Sequence, residues 1–148
     1  MTHIKRDEDK IEGALLELKE KLHLDSVSTI ELFDNSNIQG ASPISAMVTY
    51  VDGIKSPKDY RKYNIKTVVG ADDYHTMQEV LTRRYTRVLK DNLRKPNLVI
   101  VDGGALQVKA AKAVFKELGI KLMLSRIVDD LKYFGVTFDV FSSEREIR

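Results

Sequence analysis

Apolar residues at Ile11, Leu15, Leu18 and Leu22 follow the i, i+4, i+7, i+11 spacing of one helical face. They predict an amphipathic helix over 7–22, with Asp7 and Glu8 suited to its N-terminal end. The apolar runs then shorten. Stretches at 29–33, 45–51 and 60–67 read as strands, punctuated by Gly40-Ala41-Ser42-Pro43, Asp52-Gly53 and Ser56-Pro57. An Asp-Gly pair between two apolar runs predicts a hairpin. Helical spacing returns over 73–91, where Met77, Val80, Leu81, Tyr85, Val88 and Leu89 form a stripe that leaves Arg83, Arg84, Arg87 and Lys90 largely off it. Leu98–Val101 is wholly apolar, as a buried parallel strand requires. A helix over 105–118 follows, closed by Gly119. Residues 134–141 read as a turn into a last strand. This order predicts an α/β fold, a mixed sheet flanked by helices, in one domain over 1–148. Residues 1–27 are its leading helix and 121–148 an irregular tail, whose end suggests a sheet cut short at the C-terminus.

Composition narrows the class. The chain is 43% hydrophobic and 31% charged, which fits neither a disordered segment nor a membrane-embedded one. No apolar stretch approaches the ~20 residues of a membrane helix, and the N-terminus has no signal-peptide core. The chain contains no cysteine, so disulfides, thiol nucleophiles and cysteine-based metal sites are excluded. A cytoplasmic location is expected. The net charge of +2 hides an asymmetry, because residues 55–95 carry eleven Lys/Arg against five Asp/Glu. That +6 segment has the charge expected of a surface that binds a phosphate backbone, DNA included.

Three acids carry the candidate chemistry. Asp34 closes Ile30-Glu31-Leu32-Phe33, Asp73 opens the helix after Gly70-Ala71-Asp72, and Asp102 ends Leu98-Val99-Ile100-Val101. Each has a plain structural reading: an Asx turn at Asp34, an N-cap at Asp73, a strand-to-helix turn at Asp102. Carboxylates where strands end, if they converge, make an oxygen-rich site for hard divalent cations, Mg²⁺ or Mn²⁺. Two such ions can hold a scissile phosphate, activate water and stabilise the leaving oxygen.

Several segments together resemble the C-terminal endonuclease domain of UvrC, the nuclease subunit of excision repair. They are Phe33-Asp34-Asn35-Ser36-Asn37-Ile38-Gln39-Gly40, Tyr60-Arg61-Lys62-Tyr63-Asn64-Ile65, Asp72-Asp73-Tyr74, Arg83-Arg84-Tyr85 and Val101-Asp102-Gly103-Gly104, in order over about residues 28–120. The resemblance implies an RNase H-like fold and two-metal DNA cleavage with Asp34, Asp73 and Asp102 as the acidic residues. It implies the 5′ incision beside a lesion, made with UvrA and UvrB. On this reading Arg61, Arg83, Arg84 and Arg87 contact the DNA backbone.

There are departures. The family's third motif continues Gly-Gly-Lys-Gly-Gln, whereas here Gly103-Gly104 leads into Ala105-Leu106-Gln107. A basic group beside the metals is therefore replaced. None of His3, His23 and His75 matches the family's functional histidine, which falls well downstream of the third motif, and His75 is expected on a helix surface. Beyond Lys121 the resemblance fades. These departures leave a second reading open, a DNA-binding or protein-interaction module that keeps the fold without turnover.

Overall fold

The computed structural model describes residues 2–36, 43–70 and 72–126, with side chains from residue 12 onward. Helix α1 (Thr2–Lys21) leads into strands β1 (Thr29–Ser36), β2 (Ile44–Val51), β3 (Ile54–Lys55) and β4 (Arg61–Asn64). Helix α2 (Asp73–Lys90), strand β5 (Leu98–Val101), helix α3 (Ala105–Leu118) and strand β6 (Met123–Arg126) follow. The strands form one mixed sheet in the order β3-β2-β1-β5-β6, and β4 also pairs with β2. β1 runs antiparallel to β2 and parallel to β5, which is parallel in turn to β6. The α/β architecture expected from the order of elements is therefore the one found.

The alternation of β1 sorts the core into two layers. Ile30 and Leu32 join Val48, Tyr50, Leu98 and Ile100 on one face, packed with Leu18 of α1 and Val27. Phe33 joins Met47, Val99 and Val101 on the other, beneath Met77, Leu81 and Tyr85 of α2 and Ala110 and Val114 of α3. All four residues of β5 are buried, as a central parallel strand covered on both faces must be.

The turn chemistry is local. Asp52 and Gly53 both take positive φ, 53° and 80°, the mirror-image turn that matches strand twist, and join β2 to β3. Gly119 ends α3 at φ 69°, a left-handed position that costs glycine nothing.

Three boundaries depart from the sequence expectation. The strand expected over 60–67 stops at Asn64, because the Glu79 carboxylate of α2 accepts hydrogen bonds from the Lys66 and Thr67 backbone N–H groups and from the Thr67 hydroxyl. That clamp turns the chain away from the ladder into a loop that starts at Ile65. The cap of α2 is Asp72, not Asp73: its Oδ1 accepts the His75 N–H at 3.1 Å. β3 and β6, too short to register as periodic runs, are additional strands. The strand expected over 134–141 and the turn over Gly40–Ser42 lie outside the described residues.

Candidate functional site

β1 and β5 are parallel neighbours, with Phe33 opposite Val101. The Asp102 N–H donates to the Phe33 carbonyl oxygen at 3.0 Å, carrying the ladder one residue past the end of β5. Asp34 follows Phe33 and Asp102 follows Val101, so the two carboxylates stand at adjacent positions where the apolar strands give out. Both are partly exposed. Beside Asp34, the buried side-chain amide of Asn35 has no hydrogen-bond partner among the described residues.

Local sequence explains the placement of Asp102. Gly103 has φ 153°, and a Cβ there would sit 2.6 Å from Cδ of Gln107. Gln107 Oε1 accepts the Gly104 N–H at 2.9 Å, satisfying a donor ahead of the first turn of α3. Gly103 thus lets the chain leave β5 and enter α3 tightly. Ala105 begins that helix, where the resembled family has lysine.

Asp73 is the first residue of α2, which packs on the opposite face of the sheet from α1. The strand ladder that joins Asp34 and Asp102 does not by itself bring Asp73 to them. Among the described residues no group of three or more His, Asp or Glu side chains is gathered so as to hold a metal ion. Two adjacent carboxylates nonetheless suit Mg²⁺ or Mn²⁺. Mg²⁺ commonly takes only one or two protein carboxylates and completes its shell with water and substrate phosphate. His75 is exposed on α2, as expected, and its Nδ1 lies 2.6 Å from Asp72 Oδ2. The His75 backbone N–H and then its ring lower the Asp72 carboxyl below the ordinary aspartate range.

The basic residues divide. Arg84 is turned inward, its Nη2 2.8 Å from Glu31 Oε2, and the Tyr85 hydroxyl donates to Glu31 Oε1 at 2.7 Å. Glu31 is 2% exposed and sits in the middle of β1. Burial disfavours the Arg84 cation, but the hydrogen bond and charge of Glu31 outweigh it and raise its pKa. Burial, and then the same carboxylate, push the Tyr85 hydroxyl well above its ordinary value. Arg84, expected at a DNA surface, is thus committed to the joint between β1 and α2.

Arg83 donates to the Asn64 carbonyl at 2.8 Å, lies 3.3 Å from Glu79 and stacks over the Tyr63 ring at 5.3 Å. Arg87 is largely exposed, 3.4 Å from Asp91, and Arg61 donates to the carbonyls of Lys58 and Tyr60. Arg61, Lys62, Tyr63, Arg83, Arg87 and Lys90 line one open groove between β4 and α2, with Asp91 and the partly buried Arg84 also at its wall.

Sequence reasoning missed Glu31 and Glu79. A lone carboxylate inside the apolar run Thr29–Phe33 was a usable signal for Glu31, since a buried charge requires a partner. Glu79 precedes Arg83 by four residues, a spacing that flags an ion pair but not a loop clamp.

The mixed sheet thus carries Asp34 and Asp102 at neighbouring strand ends, and the basic groove lies between β4 and α2. The chain belongs to the UvrC RNase H endonuclease domain family, whose model matches residues 19–135. It is 49% identical to the UvrABC system protein C of Streptococcus pyogenes serotype M6 over 149 aligned residues, covering 96% of this chain and 25% of that protein. The serotype M49 protein is 52% identical over 131 residues, covering 88% of the chain and 22% of the relative. The chain thus spans about a quarter of the length of these relatives. The family match runs past Lys121, so the resemblance extends further than its recognisable motifs. Among solved structures, the chain resembles Ciona intestinalis endonuclease V in complex with a 24-mer DNA containing an inosine followed by a ribo-adenosine. That likeness has a TM-score of 0.48 and 16% identity over 84% of this chain and 57% of the other. Among the described residues no helix is long and apolar enough to cross a membrane.

Proposed function

We propose that this chain is the cleavage domain of a DNA excision-repair nuclease that makes the 5′ incision beside a lesion. The observation that carries the reading is the parallel pairing of β1 with β5, which sets Asp34 and Asp102 side by side. These two carboxylates would hold Mg²⁺ or Mn²⁺, with Asp73 contributing from the start of α2. Bound there, divalent ions supply charge stabilisation at the scissile phosphate and a more acidic water. The protein's own part is positional. The ladder fixes two carboxylates on rigid strands, Gly103 and Gln107 hold the Asp102 turn, and Glu31 with Arg84 ties α2 to β1. Arg61, Arg83 and Arg87 would take flanking phosphates along the groove, where backbone contacts position the strand without reading sequence.

By family, the domain would act within a longer protein and together with UvrA and UvrB, in the cytoplasm. Nicking of supercoiled plasmid with Mn²⁺ tests the reading: the chain should convert it to the open-circular form, and Asp34→Ala should not. Equal nicking by both would refute it. One observation favours a second reading, a DNA-binding module without turnover: Ala105 stands where the resembled family carries lysine. Metal-independent DNA binding with no nicking at all would select that reading.

A further inference from the structure

Asp34 pairs with Ala46 across β1 and β2, and Ala46 pairs with Lys62 across β2 and β4. Direct cross-strand partners project from the same face, so a carboxylate and an ammonium flank a single methyl group in one row. Two strand spacings separate the backbones of Asp34 and Lys62, about 10 Å. Because Ala46 is small, the row is indented, and a depression of about 390 Å³ opens over it. Ile44, Val48 and Tyr60 line it, so the depression is mainly apolar, with charge from Asp34, Arg61 and Lys62 at its edge. Tyr60 also packs against the α1-side core, which fixes it on this face.

We propose that this depression is a nucleotide subsite, which seats one unstacked base of the bound strand beside the phosphate held at Asp34. The inference rests on the nuclease reading and adds to it a substrate preference. An apolar floor with an aromatic wall accepts a base by stacking, and does so without regard to sequence because every base has a π-face. A paired base inside a continuous duplex cannot enter; it must first leave the stack. Lys62, exposed on a flexible four-carbon stem, reaches the phosphate next to the one at Asp34 as a point charge. The site therefore favours DNA that is locally melted or distorted at the cut. The groove between β4 and α2 shares Arg61 and Lys62 with this depression and is open to any backbone along Arg83, Arg87 and Lys90.

The test is a chemical-shift titration of the full 148-residue chain with Ca²⁺ as the divalent ion, using a (dT)₆ oligonucleotide and a fully paired 12-mer duplex. The oligonucleotide should move the Ala46 methyl and Tyr60 ring signals, and the duplex only signals along the Arg83–Arg87 groove. Ala46→Leu, which fills the depression, should weaken (dT)₆ binding about tenfold while sparing the duplex. Lys62→Ala should weaken (dT)₆ binding to a similar extent and Lys62→Arg restore it. A native backbone spectrum of each variant excludes misfolding, and Tyr60→Leu gives a second variant at the wall if Ala46→Leu is not tolerated. Movement confined to the groove with both ligands, or unchanged (dT)₆ affinity in a folded filling variant, would overturn the subsite and leave the nuclease reading standing. No movement with either ligand would sink both.

Discussion

Glu31 and Arg84 form a 2.8 Å ion pair whose side chains are only 3% and 11% exposed, the charged centre of an otherwise apolar joint between β1 and α2. The Tyr85 hydroxyl closes it from the next position of the helix. Removing one partner leaves the other charge buried and uncompensated. Arg84→Leu should therefore destabilise the fold by about 3 kcal/mol, the low end for a buried pair. The double variant Glu31→Leu/Arg84→Leu should recover much of that loss. Urea denaturation checks both; a double variant no more stable than the single would show that the pair is not the source of the cost.

The same geometry separates Arg84 from its neighbours in DNA binding. Arg61→Ala, Arg83→Ala and Arg87→Ala should each weaken binding to any duplex and lower the slope of log affinity against log salt by roughly 1. Arg84→Lys, which keeps the charge, should leave the slope unchanged. Titrations between low and physiological salt decide it. A slope that drops for Arg84→Lys and for none of the other three would invert the assignment.

Glu79 sets the acid sensitivity of the loop at Lys66 and Thr67. Burial raises its carboxyl, but hydrogen bonds from the Thr67 hydroxyl, the Lys66 and Thr67 backbone N–H groups and Arg83 win and lower it below the ordinary glutamate value of 4.5. A lowered carboxyl gives stability that is complete above the unfolded-state value and lost as pH falls through the folded-state value. Amide protection at Lys66 and Thr67, taken relative to the intrinsic exchange rate at each pH, should therefore be high above about pH 5 and fall as pH drops below the ordinary carboxylate range. Glu79→Gln should make exchange fast throughout. Protection unaffected by acid would remove Glu79 as the clamp.

Gly103 serves Asp102 through space. At φ 153° and 2.6 Å from a side-chain carbon of Gln107, a methyl group brings both backbone strain and a clash. Gly103→Ala should cost about 1–3 kcal/mol. Gly103→Ala/Gln107→Ala should relieve the clash but not the strain, recovering part of the loss in thermal melts. Full recovery would mean the backbone angle is unstrained.

Much of this was legible in the residue pattern. The period of 3.6 over 73–91 and the unbroken apolar run Leu98–Val101 are strong signals because each is buried in the way its period demands. Asp34 and Asp102 stood out because each ends an apolar run, a place open to a turn as well as to a ligand. Their pairing did not, since adjacency of β1 and β5 is a long-range relationship that no local window contains. The ion pair of Arg84 was hidden for a similar reason: its helical position points off the stripe, and Glu31, 53 residues earlier, draws it inward. Lys62 read as one charge among many until the register put it across Ala46 from Asp34.

If Asp34 and Asp102 share a divalent-ion site, anomalous diffraction from crystals of the chain soaked in Mn²⁺ should reveal it. A Mn²⁺ peak should touch both carboxylates in the wild type, with no peak there in Asp34→Ala or Asp102→Ala. A well-ordered Mn²⁺ held elsewhere, with both carboxylates free of metal, would contradict the shared site.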